Sequence, residues 1–364
     1  MEGNTEQGTG NGFRALIAGG GTGGHVIPAL AIARELRDAH GAEVRFVGTA
    51  RGIETKLVPE AGFELELIHV GQLKNVSFAT RLKTLGDLPR GVLRCLTLLR
   101  DFQPEVVIGV GGYASGPAML AAILKRIPTV AFEPNAVPGL TNRLVGRWVS
   151  AAAVNFEETR KFFRNAHVTG RPVAEEFFQV LPKTDGPPRL LVMGGSLGAR
   201  ALNEAMPKIA AQLLEAVPGL SIQHQAGERN LQSTQAAYAE SGADPERYEV
   251  VAFLNAAEAM AAAGLVLCRS GGTVSELCAA GRASLLVPFP HAADDHQTRN
   301  AERLVAAGAA ELLPESGMTS EVLLDRLTLL LLNNGVLEQM GVAAREMAQP
   351  GAVQRIADLI LGVL

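Results

Sequence analysis

The sequence is poor in cysteine and aromatic residues, and it has no long hydrophobic run. Its 364 residues include 3 cysteines without CxxC spacing, and 5% of the residues are aromatic. An odd, scattered set of cysteines is typical of reduced thiols and argues against a disulfide framework or a zinc site. No apolar run approaches the roughly 18–20 residues of a spanning helix. The polar start, MEGNTEQGTGNG, lacks the apolar segment of a signal peptide. We therefore expect a cytosolic protein that can still bind a membrane surface.

An excess of basic residues is also absent. The chain has 33 Lys and Arg against 37 Asp and Glu, a net charge of −4, which argues against a nucleic-acid partner. The charge is uneven, because residues 1–170 hold 19 basic and 15 acidic side chains and residues 171–364 hold 14 and 22. We therefore expect the two halves, at +4 and −8, to meet different partners.

Three nucleotide- and metal-binding signatures are missing. There is no D-x-D, the pattern with which many sugar transferases hold a metal–diphosphate. GGGTGGH satisfies GxGxxG, but His25 stands where a Walker motif needs Lys, and Gly48 and Thr49 stand where a dinucleotide fold needs an acid. We therefore expect neither NAD binding nor ATP hydrolysis, and we expect no cofactor and no metal. The side chains between His291 and His296 leave a metal site as the alternative.

Strand patterns alternate with helix patterns along the chain, which predicts parallel sheets with right-handed crossovers. Its length exceeds that of one hydrophobic core. The similar segments ALIAGGGTGGH and LLVMGGSLGAR each open one half. We therefore expect the α/β class with two doubly wound, Rossmann-like domains facing each other across a cleft. The predicted bounds are a disordered tail at 1–11, a domain at 12–170 with a C-terminal helix at 350–364, and a domain at 171–349. Pro350 is expected in the first turn of the last helix.

Four glycine-rich turns follow predicted strands, at Gly19–Gly24, Gly109–Gly112, Gly194–Gly198 and Ser270–Thr273. At the carboxyl ends of parallel strands, such turns let backbone N–H groups approach an anion. Close packing of a strand against a helix also demands glycine, so one turn decides nothing. Four turns at matching places favour phosphate binding in both halves.

The second half combines such a turn with polar side chains. Ser196 closes GGS at a helix start, where its hydroxyl can hold a phosphate. Glu276 lies three residues beyond Thr273, where one carboxylate can accept both hydroxyls of a ribose. The alternative is a capping box, T-x-x-E, between these two residues. Gln297 and Asn300 share a helical face and suit sugar hydroxyls.

A mixture of basic and apolar residues fills Val70–Gln103. Such a helix can lie on an anionic membrane, and the alternative is an ordinary packed helix with solvated charges. The basic residues are Lys74, Arg81, Lys83, Arg90, Arg94 and Arg100. The apolar ones are Phe78, Leu82, Leu85, Leu88, Val92, Leu93, Leu96, Leu98 and Leu99.

The motifs GGGTGGH, GVGGYASGP, FEPNAVPGLTN, GGSLGAR, SGGTVSE and PFPHAADDHQTRNA follow in this order from about Phe13 to the last helix. With them the sequence resembles the family of peptidoglycan N-acetylglucosaminyltransferases that convert lipid I into lipid II. The resemblance implies a GT-B fold and transfer, with inversion, from UDP-N-acetylglucosamine. The implied acceptor is the muramic acid 4-hydroxyl of undecaprenyl-diphosphate-linked muramyl-pentapeptide. It also implies a peripheral protein on the cytoplasmic face of the inner membrane, with an anionic membrane surface as a partner.

The same resemblance implies roles for single residues. It makes His25 the candidate general base and Glu133 a second catalytic candidate. It puts Ser196 on the diphosphate, the Leu254 backbone on uracil and Glu276 on ribose. The implied substrate-binding residues are Thr22, Gly23, Gly24, Asn135, Ser196, Asn203, Leu254, Gly271, Gly272, Thr273, Val274, Ser275, Glu276, Gln297 and Asn300.

The sequence departs from the family pattern at three positions. The Gln of GGSQGA is Leu197 here, and GNPVR reads GRPVA, so that Arg171 replaces Asn and Ala174 replaces Arg. We hypothesise that Arg171 binds substrate by supplying the missing positive charge at the diphosphate.

Several alternatives remain open at this point. His25 suits a base because a helix start disfavours its charged form, but it could instead cap the helix or bind phosphate. The whole chain could transfer sugar to another lipid such as diacylglycerol, could be a UDP-N-acetylglucosamine 2-epimerase, or could bind nucleotide sugars without catalysis.

Overall fold

The computed structural model describes residues 12–70, 78–183, 186–195 and 198–364, without the side chains of 78–88. The predicted tail at 1–11 lies outside the described residues. The chain divides into two compact units, Met1–Pro172 with Gly351–Leu364, and Val173–Pro350. The boundaries predicted from the sequence were 170/171 and 349/350.

The first unit is built on one parallel sheet. Its strands are β1 (Arg14–Gly19), β2 (Glu43–Gly48), β3 (Glu64–Leu67), β4 (Val106–Gly111), β5 (Thr129–Glu133), β6 (Ala151–Val154) and β7 (Ala166–Val168). Its helices are α1 (Gly23–His40), α2 (Glu54–Glu60), α3 (Phe78–Phe102), α4 (Ser115–Leu124), α5 (Leu140–Val145) and, late in the chain, α14 (Ala352–Leu361). The strand order is β3-β2-β1-β4-β5-β6-β7.

Alternate residues of the central strands of this sheet supply a core on each face. Ala15 and Ile17 of β1 pack with α1 and α14, whereas Leu16 and Ala18 pack with α3 and α4. This burial on both faces explains why β1 reads as a continuous apolar run rather than an alternating one. Ile356 and Ile360 of α14 are fully buried in the first of these cores, so the last helix belongs to the first unit.

The second unit is built in the same way. Its strands are β8 (Arg189–Met193), β9 (Ser221–Gln225), β10 (Tyr248–Val251), β11 (Leu265–Cys268), β12 (Ala283–Leu286) and β13 (Ala310–Leu312). Its helices are α6 (Glu175–Phe178), α7 (Arg200–Ala216), α8 (Leu231–Glu240), α9 (Ala256–Ala262), α10 (Thr273–Ala280), α11 (His296–Ala306), α12 (Ser320–Leu331) and α13 (Asn334–Glu346). The parallel strands run in the order β10-β9-β8-β11-β12-β13.

This sheet is also covered on both faces. Leu190 and Val192 of β8 pack with α7 and α12, and Leu191 and Met193 pack with α9 and α10. The predicted pair of doubly wound α/β domains is thereby confirmed.

The structure adds three strands and corrects one local expectation. Strands β3, β7 and β13 were not predicted. The prediction that Pro350 lies in the first turn of the last helix is wrong, because Gly351 is the N-cap at φ 71° and α14 begins at Ala352. Within the described ranges, no helix combines the length and apolar character needed to cross a bilayer.

Candidate functional site

The four predicted glycine turns lie in pairs, at one place in each sheet. β1 and β4 are neighbours from which the strand order runs outward in both directions, and β8 and β11 stand in the same relation. In doubly wound sheets this reversal opens a crevice at the carboxyl ends of the two strands, where ligands bind. Each unit therefore offers a candidate ligand site of its own.

The surroundings of the glycines separate those that packing requires from those that it does not. A Cβ on Gly112 would lie 2.5 Å from the carbonyl oxygen of Gly20, and one on Gly194 would overlap the neighbouring backbone. Gly23 and Gly271 differ, because the nearest described atoms to an added Cβ are 3.5 and 3.6 Å away and neither residue has a left-handed φ. Packing therefore accounts for Gly112 and Gly194. Beside Gly23 and Gly271, the described residues leave room for a ligand.

His25 lies in the first turn of α1, which follows the first glycine turn with Thr22 as N-cap. Its Nδ1 atom is 3.2 Å from the carbonyl oxygen of Gly20. Because a carbonyl only accepts, Nδ1 donates, and in the neutral ring Nε2 is then the nitrogen without a proton. Nε2 lies over Gly111, where an added Cβ would be 3.0 Å away. This geometry suits a general base. Gly23 and Gly24 open the helix, where backbone N–H groups lack an acceptor within the helix, and such N–H groups can bind an anion.

Glu133, the second catalytic candidate, holds its own loop together. The carboxyl is 3% exposed and accepts hydrogen bonds of 3.0–3.1 Å from the backbone of Asn135 and Gly139 and from the side chains of Asn135 and Asn142. Burial raises the pKa of the Glu133 carboxyl, and these four donors oppose that shift. The arrangement favours a supporting role for Glu133, and the catalytic one stays a prediction.

In the second unit, α10 begins directly after the turn that follows β11. Gly272 already has helical angles, φ −60° and ψ −28°, and Thr273 is the first helical residue. A capping box would need Thr273 itself as the non-helical N-cap, so that alternative loses the position it requires. Glu276 lies in the first turn of the helix and is half-buried, whereas the Val274 side chain belongs to the core.

Gln297 and Asn300 have different surroundings. The Gln297 side-chain oxygen accepts the N–H of Phe289 at 2.9 Å, and its nitrogen faces Gly271. Asn300 is 1% exposed and donates to the carbonyl of Ser270 at 3.2 Å. Gln297 can therefore reach a ligand beside the glycine turn, while Asn300 stabilises the turn through its hydrogen bond to Ser270.

Asn203 lies in a buried polar chain. Its amide nitrogen donates to the carbonyl of Ala226 at 2.9 Å, and its oxygen is 2.9 Å from Nε2 of His224, whose Nδ1 is 3.1 Å from the Tyr238 hydroxyl. Burial lowers the pKa of His224 to about 3 and raises that of Tyr238, so both are neutral. Both ends of the Asn203 amide are engaged, which favours a supporting role over substrate contact.

The remaining predicted residues are less informative. Ser196 and Leu197 lie outside the described residues. Leu254 is half-buried in the loop before α9 and packs against the core of the second unit. Arg171 is half-buried and belongs to the first unit, although it was predicted in the second domain.

The predicted membrane segment is described in part. Residues 71–77 and the side chains of 78–88 lie outside the described part of the chain. Farther along α3, Leu98 and Leu99 are buried in the core while Leu93 is 63% exposed. The second half of this helix is therefore packed on one face.

Two charged residues at these turns were not predicted from the sequence. Glu54 at the start of α2 is 1% exposed and accepts the N–H of Gly21 at 2.7 Å. Arg269 directly follows β11 and donates to the carbonyls of Val287 and Pro288 at 3.0 and 3.1 Å. A charged residue between a buried strand and a glycine turn was the available signal for Arg269. No group of three or more His, Cys, Asp or Glu that could bind a metal is found among the residues described.

Known proteins resemble the chain over nearly its whole length. A curated relative from Solibacter usitatus (strain Ellin6076) is 48% identical over 95% of this chain and 94% of its own. Another, from Syntrophotalea carbinolica (strain DSM 2380 / NBRC 103641 / GraBd1), is 45% identical over 94% and 97%. Both are named UDP-N-acetylglucosamine--N-acetylmuramyl-(pentapeptide) pyrophosphoryl-undecaprenol N-acetylglucosamine transferase.

A solved structure agrees with these relatives. The crystal structure of Acinetobacter baumannii MurG matches with a TM-score of 0.80 and 34% identity, covering 96% of this chain and 99% of that one. The glycosyltransferase family 28 N-terminal domain matches residues 15–154, and the C-terminal domain of the same family matches residues 189–356. With both domain matches in the expected order, the chain is a glycosyltransferase of the GT-B fold that belongs to glycosyltransferase family 28.

Proposed function

We propose that this enzyme transfers N-acetylglucosamine, with inversion, from UDP-N-acetylglucosamine to undecaprenyl-diphosphate-linked muramyl-pentapeptide, turning lipid I into lipid II in peptidoglycan synthesis. The observation that carries the proposal is the shared activity in the names of relatives 48% and 45% identical over nearly the whole chain. Transfer to another lipid and 2-epimerisation, the two alternative activities, have no such support among these relatives.

The donor nucleotide is proposed to bind at the crevice between β8 and β11. Glu276 accepts the ribose hydroxyls, the diphosphate lies against the turns that end in Gly198 and Thr273, and the nitrogen of Gln297 donates to the sugar. The support is that, among the described residues, an added Cβ on Gly271 would meet no atom closer than the Gln297 side chain at 3.6 Å, so these residues leave the backbone open to a ligand. Asn203 and Asn300 act as positioning residues.

His25 is proposed to remove the proton from the attacking 4-hydroxyl while UDP leaves from the anomeric carbon. A hydroxyl attacks weakly unless its proton is taken, and positioned general bases contribute about 10²–10⁴-fold. The support is the 3.2 Å bond from Nδ1 to the Gly20 carbonyl, which fixes the ring orientation and puts the proton of the neutral ring on Nδ1.

The first unit is proposed to dock on the anionic, cytoplasmic face of the inner membrane, where its lipid acceptor lies. Leu93, Leu124, Leu144 and Trp148 are 60–67% exposed, and each neighbours a Lys or Arg in the sequence. They lie on or beside α3, α4 and α5, which pack in succession. A surface with both exposed apolar and basic side chains is typical of proteins that lie on an anionic bilayer.

The experiment that tests the function is a transfer assay with radiolabelled UDP-N-acetylglucosamine and either lipid I or diacylglycerol. We expect labelled lipid II, UDP release that depends on lipid I, and no product with diacylglycerol. Label on diacylglycerol, or conversion of the donor to its 2-epimer without acceptor, would overturn the proposal.

A further inference from the structure

A buried carboxylate lies beneath the glycine turn of the first unit. Glu54 accepts the N–H of Gly21 at 2.7 Å and the N–H and hydroxyl of Thr49 at 3.0 and 3.1 Å. A Cβ on Gly20 or Gly52 would overlap this carboxylate. These glycines therefore make the space in which the Glu54 side chain reaches the turn.

One peptide group connects this carboxylate to His25. The N–H of Gly21 and the carbonyl of Gly20 belong to the same planar unit. Its N–H side donates to Glu54, and its carbonyl side accepts from Nδ1 of His25 at 3.2 Å. Hydrogen bonds on the two sides of an amide polarise it cooperatively, so the carboxylate strengthens the acceptor that holds the imidazole.

We propose that Glu54 is a positioning residue for His25 and acts through the Gly20–Gly21 peptide. The inference rests on the proposed role of His25 as the base. A peptide between two glycines rotates easily, because neither residue restricts its backbone. Such a rotation would turn an N–H toward Nδ1, and the ring would then carry its proton on Nε2, where it cannot accept another. The bond to Glu54 prevents this rotation and keeps Nε2 unprotonated.

The test compares Glu54→Gln with Glu60→Gln, which removes an exposed carboxyl of the same helix. Nitrogen-15 NMR of labelled imidazoles reports the His25 tautomer directly. We expect the Nδ1–H form in the parent and in Glu60→Gln, and a substantial Nε2–H population in Glu54→Gln. We expect kcat to fall about 10-fold or more in Glu54→Gln, with the donor KM changed less than about 3-fold.

A double-mutant cycle separates this inference from the proposed function. If Glu54 acts through His25, adding Glu54→Gln to His25→Ala should lower kcat no further. An unchanged tautomer in a folded Glu54→Gln, or a loss confined to donor KM, overturns the role of Glu54. Full activity in His25→Ala instead overturns the role of His25 as base. An Nε2–H tautomer in the parent protein refutes the inference even if Glu54→Gln does not fold.

Discussion

At the scale of the residue, His25 is defined by the two sides of its ring. Nδ1 donates to the Gly20 carbonyl, so Nε2 is the nitrogen that would act as the base. Removing the imidazole should therefore slow the chemical step more than it weakens donor binding. We expect His25→Ala to lower kcat ~10²-fold or more while the dissociation constant for UDP, measured by titration calorimetry, changes only a few-fold. His40→Ala, at the other end of the same helix, is the matched control. A large loss of UDP affinity with kcat retained would favour a phosphate-binding histidine.

Glu276 makes a prediction about ribose. Because one carboxylate would accept both hydroxyls, we expect Glu276→Ala to weaken UDP binding by about tenfold, as for the loss of a charge-assisted hydrogen bond. The parent should bind 2′-deoxy-UDP more weakly than UDP, and the variant should bind the two equally. Glu258→Ala removes a first-turn carboxylate from neighbouring α9 and should change neither affinity. A parent that does not distinguish the two nucleotides would count against ribose contact.

Arg171 makes a prediction about charge at the diphosphate. We expect Arg171→Ala to weaken donor binding and Ala174→Arg, added to it, to restore affinity, because the family pattern has its Arg at that second position. Calorimetry with UDP-N-acetylglucosamine decides this. No recovery in the double variant would show that Arg171 does not replace the missing charge.

Sequence patterns predicted candidate site residues next to the glycine turns and did not predict the residues that reach these turns from a distance. Glu54 bonds to Gly21 across 33 residues of chain, and His224 reaches Asn203 across 21, so no local spacing marks either pair. Residue type alone also cannot show what an amide contacts. Asn300 and Asn203 have the residue type of ligand-binding groups, and their side-chain nitrogens donate to backbone carbonyls, so substrate binding by these two residues stays a prediction.

At the scale of the element, the interior strands were predictable and most of the edges were not. β3, β7 and β13, the three missed strands, are sheet edges of 3 or 4 residues with the sequences ELEL, AHV and AEL. An interior strand of a parallel sheet is buried on both faces and reads as an apolar run, whereas an edge strand keeps polar residues. Only β10, with YEVV, combines an edge position with a readable pattern.

The exposed apolar residues of the first unit make a prediction for α5 and the turn after it. We expect the double variant Leu144→Ser, Trp148→Ser to lose binding to vesicles that contain anionic lipid, since burial of these side chains drives insertion. Parent binding should weaken as salt rises, because the neighbouring Arg residues contribute electrostatically. Leu329→Ser, which changes a 68% exposed leucine of α12 in the second unit, should bind as the parent does. Parent binding that ignores both anionic lipid and salt would contradict the proposed docking.

At the scale of the whole molecule, the two units should respond differently to acid. His224 is fully buried, and its pKa falls from 6.5 to about 3 in the folded second unit. Below about pH 6.5, His224 therefore binds a proton in the unfolded chain but not in the folded state. Stability from this group is complete above that pH and is lost as pH falls toward 3, at about 1.4 kcal/mol per pH unit.

Hydrogen–deuterium exchange of peptides from 173–350, followed in urea between pH 7 and pH 4.5, measures this loss. His224→Gln should reduce the pH slope by about one proton, and His167→Gln, an exposed histidine of the first unit, should leave it unchanged. An equal slope in His224→Gln and the parent would show that another group carries the effect.

The return of α14 to the first unit makes one body continuous in sequence and the other discontinuous. Residues 173–350 form their unit from one uninterrupted stretch, whereas the core of the first unit also needs Ile356 and Ile360 from α14. The first unit therefore cannot complete its core until α14 has been made. A premature stop codon within Gly351–Leu364 would damage the portion that was translated first.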